Sequence, residues 1–355
     1  MIRDFRFTQD VGNLLQIALR FQHMSSIQVP LSILDLATII AGDTSPAEAF
    51  KRSVSFAQRA EQLAFRRYWF AEHHNMESVA SSATSVLIGH VAGATKSIRV
   101  GSGGVMLPNH APLVIAEQFG TLEALYPGRI DLGLGRAPGT DQSTAHALRR
   151  NLNADVDNFP SDVAELLQYL GPRDPTMKVK AIPGVDSMIP VWLLGSSTYS
   201  AQLAAMMGLP FAIASHFAPT YLHEAFRLYR ANFKPSPFLE KPYAMACVSV
   251  IAADTDEEAD VLATSFYQMA LGMFRNVRRP LQPPLPSMKG VWTPAEEAGV
   301  RNMMQYAIIG SAETVHASLQ KFIDNTGVDE IMVTTNVFDF GKKVKSLELV
   351  GQLMR

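Results

Sequence analysis

Adjacent histidines follow an apolar run of the sequence. His73 and His74 come directly after RYWFAE (67–72). Because neighbouring side chains of an extended chain point to opposite sides, one imidazole can face a site at the end of a strand. There it could donate or accept a proton near neutral pH. Histidines that only hydrogen-bond within the loop are the alternative. Adjacent histidines do not readily chelate one ion, and the sequence shows no further His/Cys/Asp cluster to complete a zinc site, so we expect no metal.

A second group of residues suits a phosphate. Arg136 follows an apolar run within GRIDLGLGRAPG (128–139), and a guanidinium offers a planar fork of donors to an oxyanion. The segment GSSTYS (195–200) precedes a predicted helix, whose unpaired amides and dipole attract anions. The hydroxyl residues of interest in this turn are Ser196, Ser197 and Ser200. We therefore predict a phosphate held between Arg136 and the turn. The glycine spacing after residue 132 differs from the dinucleotide fingerprint and is weak evidence by itself.

Three glycines interrupt one predicted strand. Gly101, Gly103 and Gly104 lie within IRVGSGGVML (98–107), where glycine weakens a strand through lost packing and added entropy. This pattern indicates that a flat group or another backbone approaches closely. A plain β-bulge is the alternative.

The elements that must position these residues alternate along the chain. Eight short apolar runs are separated by helical patterns, which predicts parallel pairing and favours a closed (β/α)₈ barrel over an open doubly wound sheet. Between residues 140 and 188 the pattern weakens to one helix near 160–170, so we expect an insertion after the fourth strand. The predicted strands are 30–36, 67–72, 98–107, 129–135, 190–196, 210–215, 243–253 and 330–335.

Composition narrows the class of protein. The chain has 355 residues, is 47% hydrophobic and carries a formal net charge of −2, without a long basic run, so neither a nucleic-acid nor a membrane partner is expected. A single cysteine, Cys247, lies in an apolar run and is expected to be a buried structural thiol in a reducing, cytoplasmic setting. Residues 24–355 are expected to form one domain, and residues 1–23, which do not resemble the rest, a separate N-terminal extension.

Taken together and in order, these segments resemble the bacterial luciferase-like flavin monooxygenase family. The matching stretches are YWFAEHHN, RVGSGGVMLPNHAPLVIAEQFGTLEALYPGRIDLGLGRAPG and PVWLLGSSTYSAQLAAMMGLPFAIASHF. The resemblance implies a (β/α)₈ barrel that uses FMN as a dissociable reduced cosubstrate from a separate flavin reductase. It also implies that flavin and oxygen together oxidise a small organic substrate. A homodimer is our expectation.

The resemblance also implies roles for individual residues. His73 matches the family's active-site histidine, and Arg136 matches the arginine that binds the flavin phosphate, with Ser196, Ser197 and Ser200 at the partner turn. The Gly103–Gly104 bond falls where the family often has a cis peptide beneath the ring. Two positions depart from the light-emitting subunit, which has cysteine at Gly135 and tryptophan at His216, so bioluminescence is not implied.

Two other functions suit the same sequence. One is a deazaflavin-dependent dehydrogenase on this barrel, which transfers hydride and does not use oxygen. The other is a flavin-binding protein without catalysis of its own, for storage or sensing. The substrate is not readable from the sequence, but the variable loops 137–188 and 275–295 are expected to shape its pocket.

Overall fold

The computed structural model describes residues 26–136, 142–148 and 158–354. The predicted extension 1–23 lies outside these residues, as do parts of the predicted insertion. Eight parallel strands close into a barrel in the order β6-β5-β4-β3-β2-β1-β9-β7, and β6 pairs with β7 to complete the ring. The predicted (β/α)₈ barrel is therefore confirmed. The strands are β1 (Leu31–Asp35), β2 (Arg67–Phe70), β3 (Arg99–Met106), β4 (Ile130–Gly135), β5 (Val191–Gly195), β6 (Phe211–Ile213), β7 (Ala244–Ala253), β8 (Ile308–Ser311) and β9 (Glu330–Thr334).

One strand was not predicted. β8 pairs in parallel with the carboxyl half of β7, from the pair Val250–Ile308 to the pair Ala253–Ser311. It lies outside the ring, because β7 contacts β6 and β9 only through its first six residues. Our prediction of eight strands was right for the ring and wrong for the chain. A four-residue run does not separate a strand from a helix terminus by its pattern.

The helices begin and end at residues that commonly cap helices. Ser45 caps the first helix, whose first residue is Pro46, and Thr293 forms a capping box with Glu296. Gly208 ends the sixth helix in the left-handed region at φ 65°. The helices are α1 (Pro46–Gln62), α2 (Thr84–Ala94), α3 (Pro112–Leu125), α4 (Gln142–Leu148), α5 (Phe159–Leu170), α6 (Thr198–Met207), α7 (Leu222–Asn232), α8 (Asp256–Phe274), α9 (Pro294–Met303), α10 (Ala312–Thr326) and α11 (Phe340–Gln352).

The barrel interior is filled by large side chains. Trp69 and Trp192 meet edge to face with ring centroids 5.2 Å apart, and both are buried. Cys247 belongs to this interior cluster and is buried, and burial raises the pKa of its thiol well above the ordinary value. The expectation of a buried thiol is confirmed. None of the helices in the described part of the chain has the length and apolar character that crossing a membrane requires.

Buried charges close the amino-terminal end of the barrel. Arg67 donates to Asp131 at 2.7 Å and to Glu330 at 3.0 Å. Glu330 also accepts a hydrogen bond from Tyr243 at 2.9 Å. Both carboxylates are fully buried, so each depends on these partners for its charge to be tolerated. The site described next lies at the other end of the barrel, where such folds place their functional residues.

Candidate active site

A cavity of about 440 Å³ opens at the carboxyl ends of the strands, within the size range of ligand-binding cavities. It is lined by all the residues to which the resemblance gave a role in the site. These are His73, Gly103, Gly104, Arg136, Ser196, Ser197 and Ser200. The structure therefore brings together residues of β3 and residues that follow β2, β4 and β5. Their individual roles remain predictions.

Arg136 is held by an aromatic ring. It follows β4 directly, and its guanidinium carbon lies 4.0 Å from the centroid of the Tyr199 ring on α6. This stacking keeps the planar donors at the edge of the cavity without using them in hydrogen bonds.

The amino terminus of α6 faces the same cavity. Ser197 is the N-cap residue in an extended conformation, and its side chain makes no capping hydrogen bond. No acidic residue occupies the first turn of α6, so its free amides and the positive end of its dipole are available to an anionic group of a ligand. Ser200 is buried and packs on Gly195, where an added β-carbon would lie 2.6 Å from the Ser200 hydroxyl.

Glycines of β3 form one wall of the cavity. The Gly103–Gly104 peptide bond is cis, as the resemblance implied. The pairing of β3 with β4 shifts register between Gly103 and Val105. The β-bulge that we gave as the alternative explanation of these glycines is therefore also compatible with the structure. A β-carbon at Gly104 would lie 2.7 Å from the carbonyl oxygen of Gly133, so the neighbouring backbone requires glycine there. Gly101 does not line the cavity, because Asp131 and Trp69 occupy the space beside it.

The cavity contains two imidazoles with a buried nitrogen that lacks a partner. Nδ1 of His73 and Nδ1 of His216 are both buried without a hydrogen bond in the described part of the protein. Burial lowers the pKa of His73, which Glu72 partly offsets and the nearby Arg278 reinforces. Burial also lowers the pKa of His216, to about 3, and the charge of His73 adds to this effect. Both imidazoles are therefore neutral at neutral pH and able to bind a polar group of a ligand.

A hydrogen-bonded cluster lies beside His73. The buried Oε1 of Glu72 is 2.9 Å from Nε2 of His74 and 2.9 Å from Nε2 of His110, while Oε2 accepts from the amide of Met106 at 3.3 Å. Burial by itself would raise the pKa of Glu72, but the hydrogen bonds from His110 and His74 outweigh it and the pKa is lowered. The cluster anchors the loop after β2 to the end of β3.

The same three residues correct one point of the sequence analysis. We found no group of side chains that could complete a metal site, yet the structure gathers Glu72, His74 and His110 with ligand atoms within 4.8 Å of one another. His110 is 36 residues beyond His74, and only the pairing of β2 with β3 brings them together. No spacing rule would have connected them.

Acid should destabilise the protein partly through His216. Its unfolded pKa is about 6.5 and its folded pKa about 3, so below pH 6.5 the unfolded chain binds a proton that the folded protein does not. Stability present above pH 6.5 is therefore lost as the pH falls toward 3, with at most about 1.4 kcal/mol per pH unit from this residue. Urea unfolding between pH 7 and 4.5 should show a shallower pH dependence in His216→Gln. The exposed His90→Gln serves as the control, and identical slopes in wild type and His216→Gln would contradict the prediction.

From the sequence we expect the loop 275–295 to help shape the substrate pocket. The structure places part of this segment, which joins α8 to α9, at the cavity, although none of its residues was among the predicted site residues. Residues 275–282 of this segment, here called the roof segment, contribute Arg275, Arg278, Arg279 and Gln282 to the cavity. Leu281 pairs with the loop after β1, donating to Ile39 and accepting from Ala41, each at 2.9 Å. The adjacent Arg278 and Arg279 could have been noticed in the sequence as candidate anion-binding residues, but no pattern in the sequence places them at the cavity.

A closed barrel whose cavity, at the carboxyl ends of its strands, is lined by an arginine, a helix N-terminus and two neutral imidazoles defines a (β/α)₈ protein with a ligand-binding cavity. The chain belongs to the luciferase-like monooxygenase family, because that family's model matches residues 29–330.

Individual relatives agree with this assignment. The chain is 53% identical over 326 residues to a luciferase-like monooxygenase of Escherichia coli (strain K12). The aligned residues cover 92% of this chain and 97% of the relative. The solved structure of apo-MsnO8 is similar with a TM-score of 0.85 and 34% identity, covering 92% of this chain and 98% of that one. A type II Baeyer–Villiger monooxygenase, the oxygenating constituent of 3,6-diketocamphane monooxygenase from Pseudomonas putida in complex with FMN, is similar in fold alone, with a TM-score of 0.68 and 16% identity over 92% and 97% of the two chains.

Proposed function

We propose that this protein is a monooxygenase that uses reduced FMN and oxygen to oxidise a small organic substrate. The observation that carries the proposal is one cavity that is lined by Arg136, by the first turn of α6, by His73 and by the glycines of β3. FMN has this shape, a flat ring with a phosphate at the end of a chain. When bound, reduced FMN supplies the electrons and activates oxygen.

The residues present fit this cofactor. Arg136 and the amides at the start of α6 would hold the phosphate, because both donor groups are free of acidic partners within the described residues. The wall at Gly103 and Gly104 carries no side chain that would obstruct a flat ring. The unpartnered nitrogens of His73 and His216 would reach polar atoms of the ring or the substrate. A relative of the same fold that is in complex with FMN adds support.

Different residues of the chain would have different roles in the reaction. His73 would move a proton at the substrate or the reactive part of the ring, since its lowered pKa keeps a neutral imidazole available near neutral pH. Apolar side chains around it exclude water and strengthen the electrostatic interactions within the cavity. Apolar residues that line the cavity include Leu36, Val79, Leu194 and Phe266.

The reaction class is tested by mixing the protein with photoreduced FMN and oxygen in a stopped-flow instrument. We expect reoxidation kinetics that differ from free FMN, and oxygen uptake coupled to product in a screen of aldehydes, ketones, sulfonates and amines. Hydride exchange with a reduced deazaflavin and no coupled oxygen uptake would identify a dehydrogenase instead. Tight binding of oxidised FMN without any turnover would identify a storage or sensing protein.

Replacing Arg136 by alanine should weaken FMN binding about 10- to 100-fold, because hydrogen bonds to a charged group contribute roughly 1.5–3 kcal/mol. Riboflavin, which lacks the phosphate, should bind equally to wild type and variant. Fluorescence titration of both flavins measures this, with Arg173→Ala, an exposed arginine outside the cavity, as control. Equal losses for FMN and riboflavin would remove Arg136 from the phosphate site.

The remaining expectations concern partners. We propose that the reduced flavin is delivered by a separate reductase, because FMN held at an open cavity edge can exchange. We also propose a homodimer in the cytoplasm. Light scattering of the purified protein tests the dimer, and a monomer at micromolar concentration would contradict it.

A further inference from the structure

The cavity has a charge pattern that one phosphate does not explain. Among the described residues that line it, four are arginines and none is aspartate or glutamate. This occurs in a chain whose formal net charge is −2, so the positive lining is local and not a property of the whole surface. A low-dielectric cavity lined by one sign of charge attracts ligands of the other sign.

The four arginines fall into separate groups. Arg136 follows β4 and stacks on Tyr199, on the side of the cavity assigned to the flavin phosphate. Arg275 is already neutralised, since it donates from Nε and Nη2 to Glu296 at 2.7 and 2.9 Å. Arg278 and Arg279 have no carboxylate partner within residues 26–136, 142–148 and 158–354.

The roof segment holds these two arginines in place from both ends. At one end Arg275 is fixed by Glu296 and by the carbonyl of Val291, to which it donates at 3.0 Å. At the other end Leu281 makes two backbone hydrogen bonds to the loop after β1. Only a few residues separate the anchors, so the backbone that carries the exposed side chains of Arg278 and Arg279 is held in place beside the cavity.

Their place on the barrel separates them from the phosphate site. The loop after β1 lies three strands along the ring from β4, which carries Arg136. Arg278 is also close enough to His73 for its charge to act on that imidazole. The segment that carries both cations is therefore anchored at the loop after β1, with Arg278 near His73, and not at β4, which leads to the proposed phosphate site.

We propose that Arg278 and Arg279 bind a carboxylate or sulfonate of the organic substrate, so that this protein oxidises small organic acids. The inference rests on the proposed function, which it deepens by naming a substrate class. A guanidinium fork matches the two oxygens of a carboxylate, and two adjacent forks discriminate an acid from its neutral amide. The oxidisable group would then lie toward His73, beyond the anionic end.

The experiment compares acids with their amides by calorimetric titration of the full chain, with and without FMN. The probes are hexanoate and hexanamide, hexanesulfonate and hexanesulfonamide, and N-acetyl-S-methylcysteine and its amide. In wild type at least one acid should bind about 10- to 100-fold more tightly than its amide. The variant Arg278→Gln/Arg279→Gln should lose that preference and keep its affinity for the amide. Arg173→Gln/Arg227→Gln removes the same charge from exposed positions outside the cavity and should behave as wild type.

Two results would overturn the proposal. One is a wild-type protein that binds no acid of the panel more tightly than its amide. The other is a double variant that loses FMN but not riboflavin, which would assign these arginines to the cofactor phosphate. A failure of the proposed function gives a different result: the wild-type protein neither binds FMN nor alters its reoxidation. The preference for acids can still be measured in that case, because the titration is also made on the flavin-free protein.

Discussion

His73→Ala is expected to slow substrate oxidation by roughly 10²- to 10⁴-fold, the usual contribution of a positioned acid or base. The imidazole lines the cavity, its Nδ1 is buried without a partner in the described residues, and burial keeps its pKa below the ordinary value. FMN affinity should change much less than the rate, because the proposed phosphate site is formed by Arg136 and the start of α6 and not by His73. Single-turnover oxidation of a substrate identified in the screen, measured alongside FMN titration, separates the two effects.

The pH dependence distinguishes proton transfer from a merely structural role. Because the pKa of His73 is lowered, the wild-type rate should persist below pH 6.5 and fall only as this histidine becomes protonated. His73→Ala should lose that acid limb together with the rate. His90→Ala, at an exposed position of α2, provides the matched control. If His73→Ala oxidises the substrate at the wild-type rate, the residue has no part in the chemistry.

Arg67→Met is expected to destabilise the fold by about 3–5 kcal/mol, the typical cost of removing one partner from a buried ion pair. Arg67 lies between Asp131 and Glu330, and its guanidinium carbon is 4.9 Å from the Trp192 ring. Burial opposes its charge, but the two carboxylates more than compensate and its pKa is raised. Without it the partners of Glu330 among the described residues would be the hydroxyls of Ser32 and Tyr243 and the more distant Arg66. Urea unfolding at pH 7 measures the loss.

Two further variants show whether the buried charge is responsible. Arg227→Met removes an arginine of similar size from an exposed pair with Glu224, so it should cost less than about 1 kcal/mol. Arg67→Met/Glu330→Gln should be more stable than the sum of its single changes implies, since it leaves one buried charge fewer without a partner. A loss in Arg67→Met no larger than in Arg227→Met would show that the cluster does not stabilise the barrel.

Most of the barrel was readable from local patterns. The strands are near-continuous apolar runs because both of their faces are covered, and the helices between them carry ordinary caps such as Ser45 and Gly208. The short strand β8 was missed, because Ile308–Ser311 is too brief to show a period and its pairing depends on the carboxyl half of β7, which extends beyond the ring. Its position is a property of the assembled barrel.

For the site, the sequence by itself determined which strand ends carry candidate catalytic and ligand-binding residues. His73, Arg136 and the serine turn each follow an apolar run, and parallel strands must place such residues at one end of the barrel. Only the tertiary structure decided that His110 joins Glu72, and that the roof segment brings Arg278 over His73. These contacts join residues from separate β/α units, and their geometry depends on how the strands close and on where a long connection is anchored. Neither is encoded in the spacing of residues along one segment.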